Sequence, residues 1–509
     1  MSILPILLLA TISVSQEPAA PGPAQFPLSL EEAVRLVLDH GGSLQQARLS
    51  ALLEEAGIQA ADGNFDPVLF GDLTYSYNKS PASGFFSAFG ATKATTLSAT
   101  QGLRKALTTG GSLSVSLTEA YNDYSFLPDA QSNTSLNFEW RQPLLRGGWK
   151  LSATQALEQA RFTSDRSQAG LQQARSDVVQ EAVDAYWNLA FAFADLKVKE
   201  RSLALAVALK EVTEAKFRVG AVAEVEVVQT DADIATRTDA LLGARHSVQV
   251  AQDAMRILIF GLDNPQDWEL EIQPTSRPAL PGAEIPAWEA SFAMARESRA
   301  DLRQLRVDVD AAEHAWDAAK HDLQPTLDLL AQGTLSGQDN QVGDAFDYIW
   351  DRNFPGATLG LSFELPLGNN AQQGAERRAR WRTWLALRAL RDAENRVANE
   401  VREAVRNLAY QAERVSVTRL AREVATRQLE AEQRRLREGA STNFQVLQFQ
   451  TDLAVAETAE IQAHADHGKA LVRLNTARGL NWDGSRPDLG SLDRYLPAAR
   501  YERRETEGR

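Results

Sequence analysis

A chain of 509 residues that is 44% hydrophobic and 24% charged has the apolar content for a folded protein of two or three domains, which excludes a disordered polymer. Its net charge of −14 argues against nucleic acid as a partner. It has no cysteine, which excludes disulfides, thiolate metal sites, cysteine nucleophiles and an acylated N-terminal cysteine.

Residues Ile3 to Ile12 are nearly all apolar and lead into Ser13-Val14-Ser15, so a signal peptide is expected over 1–15. No later run of 18 apolar residues follows. Any membrane crossing is therefore expected from a β-barrel rather than a helix. After a proline-rich lead-in, Ser29-Leu30-Glu31-Glu32 has the form of a capping box, with Ser29 as N-cap and Glu32 three residues on. It opens a short helix ending near His40. A second runs from about Ser43 to Ala61, and Gly63 and Pro67 end it.

From Val68 the period falls from helical to two. Alternation over about 68–78, 94–103, 112–118 and 134–141 gives each stretch one apolar and one polar face. Leu69, Leu73, Tyr75 and Tyr77 stand on one side of the first, Asp72, Thr74 and Ser76 on the other. Strands with lipid on one side and water on the other have this pattern, as do strands of an ordinary half-buried sheet. Gln142-Pro143-Leu144-Leu145-Arg146-Gly147-Gly148 then leads into a stretch without proline up to Gly220. Leu189, Leu196 and Leu203 recur there every seven residues, as do Tyr186 and Phe193. That predicts a long amphipathic helix over about 148–218, on the order of 100 Å, packed against others. A return helix is expected over 224–260, which closes a first structural repeat at 16–270.

Residues 271–286 read as a proline-rich linker, and 287–480 as a second repeat. Glu31 and Glu289 stand 258 positions apart, and the same offset pairs Leu44 with Leu302, Arg48 with Arg306 and Pro67 with Pro325. Strands are expected over 326–335 and 357–365, and long helices over 371–437 and 442–478. Near the helix turns the offset is 219, pairing Gly220 with Gly439, Gln229 with Gln448 and Asp233 with Asp452. Matches at constant offset point to internal duplication. Residues 481–509 are polar and are expected to be a disordered tail.

The order of these pieces, the Ser29-Leu30-Glu31-Glu32-Ala33 opening, Arg299-Ala300-Asp301-Leu302, Gln142-Pro143-Leu144-Leu145-Arg146-Gly147 and the two turns resemble the TolC-like outer-membrane efflux protein family, over about Leu28 to Leu480. The turns are Phe217-Arg218-Val219-Gly220 through Gln229 and Leu436-Arg437-Glu438-Gly439 through Gln448. The resemblance implies a mainly α fold with a β-barrel part: duplicated short helices, transmembrane strands and coiled-coil hairpins, assembled as a trimeric α/β-barrel channel-tunnel. It implies a homotrimer in the bacterial outer membrane, with a helical tube in the periplasm meeting a membrane-fusion adaptor and an inner-membrane transporter. The family has four strands per protomer, whereas six stretches alternate here. The Thr92–Ala120 region is expected to be an extra hairpin outside the membrane, the alternative being a larger barrel.

No catalytic constellation, cofactor motif or metal set is apparent. His464 with His467, and His314 with His321, are expected on solvated helix faces. In the family the periplasmic end is narrowed by carboxylates six and nine residues after the second turn glycine, positions held here by Gln445 and Gln448. A glutamine ring lacks the charge that draws cations, so weaker cation selectivity than the family norm is expected. Glu226 stands at a family gate acid. Its usual arginine partner falls at Ser441, and Arg437 is the suggested substitute. Val219, Gly220, Ala221, Val222, Gly439, Ala440 and Ser441 at the turns are expected to dock the adaptor. The rival readings are a non-porous structural coiled-coil envelope protein and a periplasmic enzyme on a helical scaffold.

Overall fold

The computed structural model describes residues 25–81, 91–125, 129–261, 268–278, 282, 285–350 and 354–487. The expected signal peptide and residues 488–509 of the expected tail lie outside them. In chain order come β1 (Gln25–Leu28), α1 (Leu30–His40), α2 (Gly42–Asp62), β2 (Val68–Pro81), β3 (Ala91–Ala106), β4 (Ser112–Tyr124) and β5 (Gln131–Pro143). A five-residue α3 (Trp149–Ala153) precedes the long helices α4 (Gln155–Arg218) and α5 (Glu224–Phe260). Then follow β6 (Glu271–Pro274), α6 (Trp288–Ser298), α7 (Ala300–His321), β7 (Thr326–Asp339), α8 (Val342–Trp350) and β8 (Phe354–Glu364). The chain ends in α9 (Asn370–Arg437) and α10 (Asn443–Ala477).

Two compact units divide the chain. One comprises the segment up to Gly42 with Val178–Glu284 and Asn407–Val472; the other comprises Ser43–Asp177, Ile285–Arg406 and the chain from Arg473.

The second unit carries a six-stranded antiparallel sheet in the order β2-β3-β4-β5-β7-β8. Register places Leu69 opposite Leu103, Leu103 opposite Val115, and Val115 opposite Phe138. One face is therefore a continuous apolar row. It is bare over β2 and β8, where Leu69, Leu73, Leu359 and Leu361 are 81%, 75%, 77% and 68% exposed, while α8 lies against its end at β5 and β7 beside Gly337. The other face is stitched by side-chain hydrogen bonds, Thr96 to Asn122 at 2.9 Å, Thr100 with Thr118 at 3.2 Å and Thr334 to Asn137 at 3.1 Å. The sheet is thus inverted relative to a soluble domain, with its oily side bare and its polar side cross-linked.

The same unit holds an apolar core of Ala295, Leu302, Val309, Leu390, Ala393, Val397 and Val401, where α6, α7 and α9 meet. Arg303 and Arg306 are wholly buried beside it. They donate to the last carbonyls of α6: Arg303 to Glu297 and Ser298, each at 3.1 Å, and Arg306 to Arg296. Those carbonyls lack intrahelical partners and sit at the negative end of the helix dipole, so a guanidinium there offsets its own burial.

In the first unit, β1 and β6 form a two-stranded parallel sheet. The buried hydroxyl of Tyr186 on α4 fastens it, donating to Leu28 O at 3.1 Å and accepting from Ser276 N at 2.9 Å. The Ser29–Glu32 capping box is formed at the head of α1.

Several expectations need correction. The Thr92–Ala120 region, expected as an extra hairpin outside the membrane, forms β3 and β4, which pair continuously between β2 and β5 within the one sheet. Residues 271–286 are not all linker: Glu271–Pro274 is β6, too short to show a period. The tail begins ordered, since Asn481 N donates to Ser485 O at 2.9 Å and Asn475 Nδ2 to Trp482 O at 3.1 Å. The long helix is interrupted at Thr154, whose hydroxyl folds back onto Lys150 O at 2.7 Å. His467 is buried rather than solvated, and the His314 ring packs edge-on against Phe162 at 5.8 Å.

Candidate functional site at the helix turns

Two reversals, α4 to α5 and α9 to α10, have the same backbone solution. Gly220 takes φ +72° and Gly439 φ +74°, the left-handed conformation that closes a helix. Gly220 N donates to Phe217 O and Ala221 N to Lys216 O, each at 2.8 Å. Gly439 N donates to Leu436 O at 3.3 Å and Ala440 N to Arg435 O at 2.8 Å. Both sets are Schellman motifs, related residue for residue by the 219-position offset. Beneath them Leu209, Leu429, Val446 and Leu447 form a buried cluster.

The polar contacts differ between halves. Asn443, buried, donates from Nδ2 to Glu226 Oε2 at 2.7 Å and to Thr213 Oγ1 at 3.1 Å. It joins α4, α5 and α10 with one amide. At the equivalent positions of the second half, Glu432 and Gln445 replace Thr213 and Glu226. The Ser441 hydroxyl joins them, reaching Glu432 and, at 3.0 Å, Gln445 Oε1. Glu432 is buried and also accepts from Arg435 at 3.1 Å.

Glu226 is therefore held by Asn443. Arg437, the substitute suggested from sequence, is exposed and makes no ion pair with Glu226 among the described residues. A short amide at the start of α10 lies nearer the acid than a side chain at the end of α9. Gln445 and Gln448 are both exposed, and Gln448 donates to Asp452 Oδ1 at 3.0 Å, one helical turn on.

Arg237 braces this region. From α5 its Nη1 donates to Ser202 O at 2.9 Å, its Nη2 to Leu447 O at 3.3 Å, and its Nε faces Asp233 at 2.6 Å. Lys210 meets Asp231 at 2.5 Å, and that hydrogen bond holds its ammonium above the ordinary lysine value.

At the turns Val219, Gly220, Ala221, Gly439 and Ala440 are exposed, Val222 and Ser441 half-buried. Phe217, Val225, Val228 and Phe444 extend that apolar surface at 43%, 60%, 58% and 62% exposure. The sequence reading placed Phe217 in the turn motif but named none of these four as docking residues, and it missed Asn443 and Glu432. The offset of 219 carried the signal for Glu432, which falls opposite Thr213.

Residues 292–480 match the model of the family described as Outer membrane efflux protein. No curated protein sequence matches the chain. Among solved structures, the outer membrane channel CmeC of Campylobacter jejuni shares the fold at a TM-score of 0.67 and 16% identity, covering 92% of this chain and 90% of its own. VceC, an outer membrane protein of Vibrio cholerae, aligns at TM-score 0.63 and 19% identity, over 89% of this chain and 96% of its own. The MtrE outer membrane channel of Neisseria gonorrhoeae, in its open state, aligns at TM-score 0.63 and 16% identity, over 90% and 91%.

Proposed function

We propose that this chain, whose residues 292–480 belong to the outer membrane efflux protein family, is the channel-tunnel of a tripartite efflux or type I secretion system. It is a passive exit duct for substrates driven by an inner-membrane pump. The family is one of bacterial outer-membrane channels and not of enzymes. The observation that carries the reading is the inverted sheet: an apolar face left bare over Leu69, Leu73, Leu359, Leu361 and Phe363 suits lipid, and a hydrogen-bonded polar face suits a water-filled lumen.

A homotrimer is supported by helices that do not find enough partners in one chain. The 21-residue α2 buries only Leu44 and leaves Leu49, Leu52 and Leu53 at 66%, 59% and 68% exposure. Exposed apolar surface of that kind marks an interface. The apolar turn surface around Val219, Gly220, Ala221, Val222, Gly439, Ala440, Ser441 and Phe444 is the docking site for a periplasmic membrane-fusion adaptor. Glu226 closes the duct through Asn443. Gln445 and Gln448 line its narrow end and weaken cation selectivity.

Negative-stain electron microscopy of the detergent-extracted protein, with planar-bilayer recording on the same preparation, tests this. A threefold tapered cylinder on the order of 100 Å or longer that conducts ions is the expected result. Compact globules, or rods that conduct nothing, overturn it in favour of a non-porous envelope protein.

A further inference from the structure

Among the described residues the sheet has two free edges. β2 and β8 each pair on one side only, so residues 68–81 and 354–364 present unpaired N–H and C=O groups. Nearly every residue on them is exposed, whereas most residues of β5 and β7 are half-buried or buried. The same edges carry the bare apolar face, with Leu73 at 75% and Phe363 at 63% exposure. Unpaired backbone is not tolerated in hydrocarbon, so each edge needs a strand. Every neighbouring pair in the sheet is antiparallel and the number of strands is even, so β2 and β8 run in opposite directions. A β8 laid beside the β2 of an identical chain is then antiparallel as well, and copies add without a break in the pattern.

We propose that β8 pairs with β2 of the next copy, so that all six strands of each chain enter one wall and three chains close an eighteen-stranded barrel. The β3–β4 hairpin is the enlargement, since it lies inside the sheet with register running unbroken on both sides. The three copies rest on the trimeric reading above. With about 4.8 Å between strands and a tilt of about 40°, eighteen strands give a barrel about 36 Å across, and twelve would give about 24 Å. The cross-section is therefore about twice that of a four-strand-per-chain relative, whatever the tilt.

The protein has no cysteine, so introduced thiols report without background. Ser362→Cys on the polar face of β8 is combined in turn with Asp72→Cys, Thr74→Cys and Ser76→Cys on the polar face of β2. Opposed residues of antiparallel strands lie within disulfide reach. Oxidation is expected to give linked dimers and trimers and nothing larger on non-reducing gels, while a cryo-electron microscopy map of the full chain counts eighteen strands. A twelve-stranded wall with β3–β4 outside it, or a disulfide confined to single chains, overturns the proposal. If such a preparation still conducts as a trimer, the channel reading survives; if it neither trimerises nor conducts, both fail.

Discussion

Replacing Asn443 with aspartate tests whether the Asn443–Glu226 contact holds the α4, α5 and α10 ends together. The amide nitrogen lies 2.7 Å from Glu226 Oε2, so the substitution puts a second carboxylate beside the first. Two unit charges about 3 Å apart repel by about 5.5 kcal/mol at an effective dielectric of about 20, and by about 1.4 kcal/mol in bulk water. Asn443 is buried and Glu226 half-buried, so a value between these, about 2–4 kcal/mol, is expected. The two lost hydrogen bonds add about 1 kcal/mol each. Repulsion raises the pKa of one member of the pair above its unfolded value. The native arrangement is then destabilised at pH above the raised pKa and recovers as the pair takes up a proton. Single-channel leak of Asn443→Asp should exceed wild type severalfold at pH 7.5 and approach it towards pH 5. Asn443→Ala should give a smaller rise that does not depend on pH. A leak equal to wild type at pH 7.5, or one that pH does not change relative to Asn443→Ala, would refute the reasoning.

Other outcomes follow from contacts elsewhere. On the proposed trimeric duct, Gln445→Glu should shift the zero-current potential in a salt gradient towards cation preference, whereas Gln445→Ala should leave selectivity weak. Tyr186→Phe leaves Leu28 O satisfied, because Thr275 N and Oγ1 also reach it at 2.9 and 3.1 Å, but strips the partner from Ser276 N. It should cost about 1 kcal/mol and speed hydrogen exchange around Ser276. A methyl at Gly468 would stand 2.9 Å from the buried Trp187 ring, so Gly468→Ala should lower thermal stability by about 1–3 kcal/mol and alter tryptophan fluorescence. Burial pushes the Asp308 carboxyl up, only partly opposed by Arg166 at 3.5 Å. A folded pKa above the unfolded one favours the fold at acid pH and is lost as pH rises. Asp308→Asn should therefore raise the melting temperature at pH 8 and change it little at pH 3.

The alternation of residues 68–78 or 326–335 was legible because the sheet has one apolar and one hydrogen-bonded face, which place opposite demands on successive side chains. The heptads in α4 were legible because this helix repeats the same packing for many turns. The duplicated turns were legible through Gly220 and Gly439, where the backbone needs a left-handed residue. The ordered ends of the strands were not. Lys79 and Asn122 lie in paired strand, but polar side chains at a sheet's rim look like loop. β1 and β6 were illegible because four residues show no period and their partner lies far along the chain. Membership of β3 and β4 in the common sheet rests on their pairing with β2 and β5, their neighbours in the chain, which the alternation within each strand does not specify. The choice of Asn443 over Arg437 as partner of Glu226 is a matter of three-dimensional proximity between α5 and α10.

The small parallel pairing of β1 with β6 also sets a timetable. The bond from Leu30 N to the Ser276 hydroxyl, 2.9 Å long, closes a span of 246 residues, and β1 has no strand to join until β6 exists. At about 5–20 residues per second of synthesis, the N-terminal strand waits roughly 12–50 s for its mate. Throughout that interval the first helical hairpin is present without its fastening. Tyr186, whose hydroxyl touches both strands, fastens only after the second arrives.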